Sequence, residues 1–218
     1  SRTDSLVHRN FDVQYLNPVV FFRPVEYQLS DPSPDNVLLG LGFEIKPLKN
    51  LQLYGQILLD EFNFTEIKAN NGWWANKYAI QAGGKYFDFA RIKNWIVRAE
   101  INMARPYTWS HESSMKNYGH QGQALAHPLG ANFTEACMQS AFFGEKINIF
   151  ATAVISQTGL DTTTLSYGQN IYKPYTWRAG EYNQKMLQGS KTTLLHADAC
   201  ISIAVIKKWD LHAELKTG

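Results

Sequence analysis

The sequence predicts an all-β protein, an antiparallel up-and-down transmembrane β-barrel of about eight strands, and three observations carry that expectation. Apolar and polar residues alternate over runs of about nine to eleven residues, enough for a tilted strand to cross a bilayer and longer than the ~5–6 of an ordinary strand. The polar positions inside those runs hold Arg, Glu, Asp, Lys and Gln, which suit a wet or hydrogen-bonded interior better than lipid. Short turns also alternate with long connections, as they do when turns lie on one side of a membrane and loops on the other.

A 35-residue lead-in (1–35) precedes the first hairpin, 36–62. There Val37, Leu39, Leu41, Phe43 and Ile45 share one face, Glu44 and Lys46 take the other, and the chain turns at Pro47-Leu48-Lys49-Asn50. On the return, Leu51, Leu53, Gly55, Ile57 and Leu59 oppose Gln52, Tyr54, Gln56 and Asp60. In the second hairpin, 77–104, Tyr78, Ile80, Ala82 and Tyr86 alternate with Gln81 and Lys85; then Trp95, Val97, Ala99, Ile101 and Met103 alternate with Arg98, Glu100 and Asn102. The third, 133–156, turns at Phe143 to Lys146 and sets Ala136, Met138, Ile149 and Ile155 against Glu135, Gln139, Asn148 and Thr152. The fourth, 195–217, sets Ala197, Ala199, Ile201 and Ile203 against His196, Asp198, Cys200 and Ser202, turns at Lys207-Lys208, and ends in a strand from Trp209 to Lys216. A soluble β-sandwich alternates in the same way, and it stands as the alternative architecture.

One all-β domain is the natural count for 218 residues. Charged residues make up 18%, below the usual ~25%, and aromatic residues a rich 13%. A net charge of +2 gives no footprint for nucleic acid. No apolar run reaches the ~18 residues of a transmembrane helix. The chain opens Ser1-Arg2-Thr3-Asp4 without an apolar leader, and its last strand has no partner after it, so the expectation is a fragment of a larger barrel with strands missing at both ends. Cys137 and Cys200 fall on the inward face, where pairing requires neighbouring strands.

The long connections, about Asn63 to Asn76, Arg105 to Asn132 and Gln157 to Leu194, are rich in aromatics and are expected to be ordered and functional. They contain an internal echo, Arg105-Pro106-Tyr107-Thr108-Trp109 and Lys173-Pro174-Tyr175-Thr176-Trp177. With Trp73 and Trp74, the residues Tyr107, Trp109, Tyr175 and Trp177 are the candidate ligand-binding set: rings with an apolar face and a polar handle stack on sugars, although loop packing would use the same residues. Inside the sheet, Arg98, Glu100 and Asn102 form one inward row, a candidate lumen network that braces the pore or selects what permeates. His111, His120 and His127, near Glu112, match no closed zinc spacing, and neither a phosphate loop nor a nucleophile elbow is present, so no metal, cofactor or catalysis is expected.

Several longer stretches point to one family. They are Phe22-Arg23-Pro24-Val25-Glu26, Leu53-Tyr54-Gly55-Gln56, Asn71-Gly72-Trp73-Trp74-Ala75-Asn76-Lys77-Tyr78, Arg98-Ala99-Glu100-Ile101-Asn102 with Arg105-Pro106-Tyr107-Thr108-Trp109, and Leu125-Ala126-His127-Pro128-Leu129-Gly130-Ala131-Asn132-Phe133. In these the chain resembles the Wzi-like capsule-assembly family of outer-membrane barrels, in its Bacteroidetes form, and the resemblance implies that it corresponds to the C-terminal portion of a typical member. The resemblance implies a non-enzymatic protein of the bacterial outer membrane, in contact with its lipid, whose loops bind capsular or other surface polysaccharide or a cell-surface assembly partner. It equally admits an accessory barrel or channel of a gliding-motility or type IX secretion complex.

Overall fold

A computed structural model describes residues 38–218, apart from 115 and 207–210. The lead-in, the turn at Lys207-Lys208 and Trp209 therefore lie outside the described residues. Eight long strands form one antiparallel sheet: β1 (Leu39–Leu48), β2 (Leu51–Glu61), β3 (Lys77–Tyr86), β4 (Trp95–Ala104), β7 (Phe133–Phe143), β8 (Ile147–Leu160), β9 (Ser190–Ile206) and β10 (Leu211–Thr217). Each pairs with its sequence neighbour in the order β1-β2-β3-β4-β7-β8-β9-β10, an up-and-down meander. The sheet is open, with β1 and β10 as its edges, so the closed barrel is not what these residues form by themselves. Nor is the sandwich: all eight strands lie in a single sheet, and no second long-stranded sheet faces it among the described residues.

The alternation sets the register. Ile57 pairs with Ile80, Ile80 with Met103 and Met103 with Thr134, so one face gathers the apolar side chains of every strand. That face is bare: Ile101 is 60% exposed, Leu195 78%, and Leu39, Leu41, Phe43 and Ile45 are exposed along the whole of β1. On the opposite face Glu100 is only 8% exposed, and Asp60, Ser156 and Ser202 are buried. One face of the sheet is thus apolar and bare, and the other polar and partly covered.

Two connections and two strand ends differ from the sequence reading. β8 and β9 run further towards the loops than expected, pairing from Gln157 and Thr193 out to Leu160 and Ser190. Their alternation is lost there because loop residues cover Thr158 and Gly159, so polarity no longer reports a face. Within the connections lie a helix α1 (Phe64–Ala69), whose N-cap Asn63 accepts from Thr65 N, and a small hairpin of β5 (Gly119–His120) and β6 (Gln123–Ala124). The hairpin turns on Gln121 and Gly122, both at positive φ, the geometry that matches strand twist.

Because the strands alternate in direction, segments 62–76, 105–132 and 161–189 all emerge at one end of the sheet, and the short turns at the other. At the turn end Tyr86, Phe89 and Trp95 make an edge-to-face chain with centroids 5.9 and 5.0 Å apart. The buried core is at the loop end. There Trp109, Ala131, Phe133 and Ile171 pack with Ala104 and, on the polar-facing side of the sheet, with Leu58 and Ala79, so the three long segments sit as a cap on an apolar floor.

Candidate binding site

The cap is held by its backbone first. Trp74 N donates to Glu181 O (2.9 Å), Asn183 N to Asn71 O (2.8 Å) and Gln184 N to Gly72 O (2.9 Å), which ties segment 62–76 to segment 161–189. Tyr107 N donates to Gly168 O (3.0 Å) and Tyr175 N to His111 O (3.2 Å), which ties in segment 105–132. Asn132, fully buried, pins the same junction: its Nδ2 donates to Gly159 O (2.7 Å) and Gln188 O (2.9 Å), while Oδ1 accepts from Leu187 N (2.7 Å).

Side chains then fill the junction with stacked rings and cations. Trp74 lies 4.6 Å from the Tyr175 ring, 6.1 Å edge-on to Tyr107 and 6.4 Å from Trp73. The Arg178 guanidinium sits 4.3 Å over Trp74 and bonds Glu181 as well as Tyr175 O. Lys77 has no exposed surface; its Nζ lies 4.6 Å from the Tyr175 ring centre, donates to Ser110 O (3.1 Å) and pairs with Glu61 at 3.4 Å. A buried ammonium with a carbonyl, a carboxylate and two ring faces is a satisfied one. Burial pushes the Tyr107 and Tyr175 phenols up to about 12, so both remain neutral donors. Burial, aided by the charge of Lys77, holds the His111 imidazole below its ordinary value.

The six expected loop aromatics therefore separate into three situations. Trp73, Trp74, Tyr107 and Tyr175 meet in one cluster. Tyr107 at 0% and Trp109 at 3% exposure have no free face, which corrects their expected part as stacking platforms: both are packing residues, Tyr107 under the loop junction and Trp109 on the sheet floor. Trp177, 53% exposed, presents its ring outward, and Tyr182 is exposed nearby in sequence. Between the small hairpin and segment 169–172 opens a pocket of about 500 Å³, lined by Gln123, Gln169, Asn170, Ile171 and Tyr172 with no charged group.

On the polar face the expected trio is joined into a larger network. Arg98 bonds Glu100 and donates from Nε to Tyr54 Oη (2.8 Å); Tyr54 donates to Glu100 (2.5 Å), and Asn102 to Glu100 (3.1 Å) and Glu135 (3.0 Å). Tyr54 reaches two strands away because Gly83 lies between it and Glu100 in the pairing, and a Cβ there would meet the phenol at 2.7 Å. Cys137 and Cys200 are free thiols, on β7 and β9 with β8 between them. Tyr54, Lys77, Asn132 and Arg178 were missed in the sequence. A glycine facing an aromatic on the neighbouring strand could have signalled Tyr54, whereas Asn132 bonds residues 27 to 56 positions away and Arg178 covers Trp74 from a different segment. No group of three or more potential metal ligands occurs among the described residues. Compared with known proteins, the chain matches no protein-family model, and no curated protein and no solved structure is significantly similar to it.

Proposed function

We propose that this chain forms the wall and outer loop cap of a bacterial outer-membrane β-barrel that binds surface polysaccharide and catalyses no reaction. The observation that carries the reading is the inverted burial: large apolar side chains on every long strand stand bare, while Glu100, Asp60 and Ser202 are covered on the other face. In water a contiguous apolar face of this extent would aggregate, whereas in lipid it is the stable side. The aromatic chain Tyr86-Phe89-Trp95 at the turn end supports an interfacial belt, and the Wzi-like stretches of the sequence agree with both parts of the reading.

Polysaccharide is favoured as the ligand by the chemistry of the cap. Its exposed Trp177 and Tyr182 offer stacking faces, and the uncharged pocket in the same cap offers carboxamides, a phenol and backbone groups, chemistry that suits rings bearing hydroxyls. The cap is rigidly tied, so little ordering entropy opposes binding. The polar network of Arg98, Glu100 and Asn102 satisfies itself and braces the wall.

Two measurements test the reading. Ile101→Arg is expected to cost about 2–4 kcal/mol of folding stability in phospholipid vesicles, as a cation on the lipid face near midplane does; a chain that is monodisperse in buffer without detergent and ignores vesicles would sink the membrane part. Glycan-array binding should fall sharply in the Trp177→Ala, Gln169→Ala pair. An unchanged array profile would sink the polysaccharide part.

A further inference from the structure

Beneath the cap a second cavity, of about 260 Å³, lies between segment 105–132 and the polar face of the sheet. Its floor is a row of carboxamides in direct cross-strand register: Gln56 pairs with Gln81 and Gln81 with Asn102. Its roof is Trp109, Tyr118 and His127. Asn102 is committed to Glu100 and Glu135, and the His127 ring lies 3.3 Å from the same Glu135 carboxylate. Gln56, exposed, and Gln81, half-buried, make no side-chain hydrogen bond among the described residues, so both amides are open to the cavity.

We infer that this cavity is a site for one neutral pyranose unit. The amides supply donors and acceptors together, which hydroxyls can answer in both roles. Tyr118, exposed at the roof, supplies the ring-stacking face. No lysine or arginine lines the cavity to hold a carboxylate or phosphate, so uronic acids and phosphorylated sugars are rejected. The volume falls below the ~300–1,000 Å³ of pockets that take drug-sized molecules, which limits the occupant to a single ring. The site is separate from the outer pocket of the cap and rests on the polysaccharide reading only in sharing its ligand class.

The test titrates the purified full chain with methyl glucoside, methyl galactoside, methyl mannoside and N-acetylglucosamine, and with glucuronate and galacturonate, reading tryptophan emission and heat. At least one neutral sugar is expected to bind, with the uronates at least tenfold weaker, and Gln56→Ala with Gln81→Ala is expected to weaken it about tenfold per amide lost. Since neither amide is used by the fold, the melting temperature of that variant should equal the parent's, which separates loss of the site from loss of structure. Trp177→Ala, on the outer surface, should leave this binding unchanged while lowering glycan-array binding. The inference is overturned by no response to any neutral sugar, by binding that survives both glutamine substitutions, or by uronates binding as tightly. If array binding fails but the small-sugar titration succeeds, the outer reading falls and the inner site stands.

Discussion

Arg105-Pro106-Tyr107-Thr108-Trp109 and Lys173-Pro174-Tyr175-Thr176-Trp177 carry the same residue types in the same order, yet one is the interior of the cap and the other much of its surface. In the first, Pro106, Tyr107, Thr108 and Trp109 are buried, with Tyr107 and Trp109 both in the left-handed region at φ 67°. Hydrogen bonds from Tyr107 N to Gly168 O and from Trp109 N to the Asp60 carboxylate (2.9 Å) hold that unusual backbone. In the second, Pro174 at φ −55° leads into a single 3-10 turn, Tyr175–Trp177, which leaves Trp177 outside. The difference is one of anchorage: the first follows directly from the end of β4 and is drawn under the other loops, while the second sits midway along a long segment and lies on top of them. An aromatic pair two residues apart becomes core or contact surface according to what the chain on either side is tied to.

Truncating equivalent residues is the most direct way to break that contrast. Tyr107→Ala is expected to cost about 3–5 kcal/mol, the range for a large buried ring, and to free the cap as judged by limited proteolysis of segment 161–189. Tyr175→Ala should cost clearly less in a chemical melt, and equal losses would make the two copies equivalent after all. Asn132→Ala leaves Gly159 O and Gln188 O without their shared donor, so about 2–3 kcal/mol should be lost, again with cleavage appearing at the loop junction.

Acid sharpens the contrast at the point where the two segments meet, since His111 O accepts from Tyr175 N and its ring lies 5.5 Å from that of Tyr175. The folded state holds this imidazole below its unfolded value of roughly 6.5. Stability is therefore full above that pH and declines as pH falls beneath it, because the unfolded chain takes up the proton more readily. His111→Phe should flatten the fall in melting temperature between pH 7 and pH 5; an unchanged slope would assign the acid sensitivity elsewhere. The smallest effect is reserved for Trp177→Ala, expected to stay within about 0.5 kcal/mol of the parent in a melt.

The strands were legible because a half-buried sheet writes its geometry locally: Trp95 to Met103 alternates without interruption, and β4 spans Trp95–Ala104. Even the face was readable, since Arg98, Glu100 and Asn102 form one row opposite the apolar side chains of the same strand. The cap was not. Lys77 reads as a solvated strand terminus, and its burial depends on Tyr175 and Ser110 arriving from other segments. Trp109 and Trp177 are indistinguishable as letters in similar pentapeptides, and only the non-local bond to Asp60 tells them apart. The pocket residues Gln123, Gln169 and Tyr172 follow no spacing rule because two separate segments bring them together.

Tyr54 lying across Gly83 also bears on how the chain assembles. A two-residue slip between meander strands keeps every apolar side chain on its own face, so the alternation by itself does not forbid it. Sliding β3 by two places would put Gln81 or Lys85 where Gly83 now admits the phenol, and the ring would lose its path to Glu100. The peg therefore acts as a proofreader for three strands at once, rejecting the misalignments that hydrophobicity cannot see.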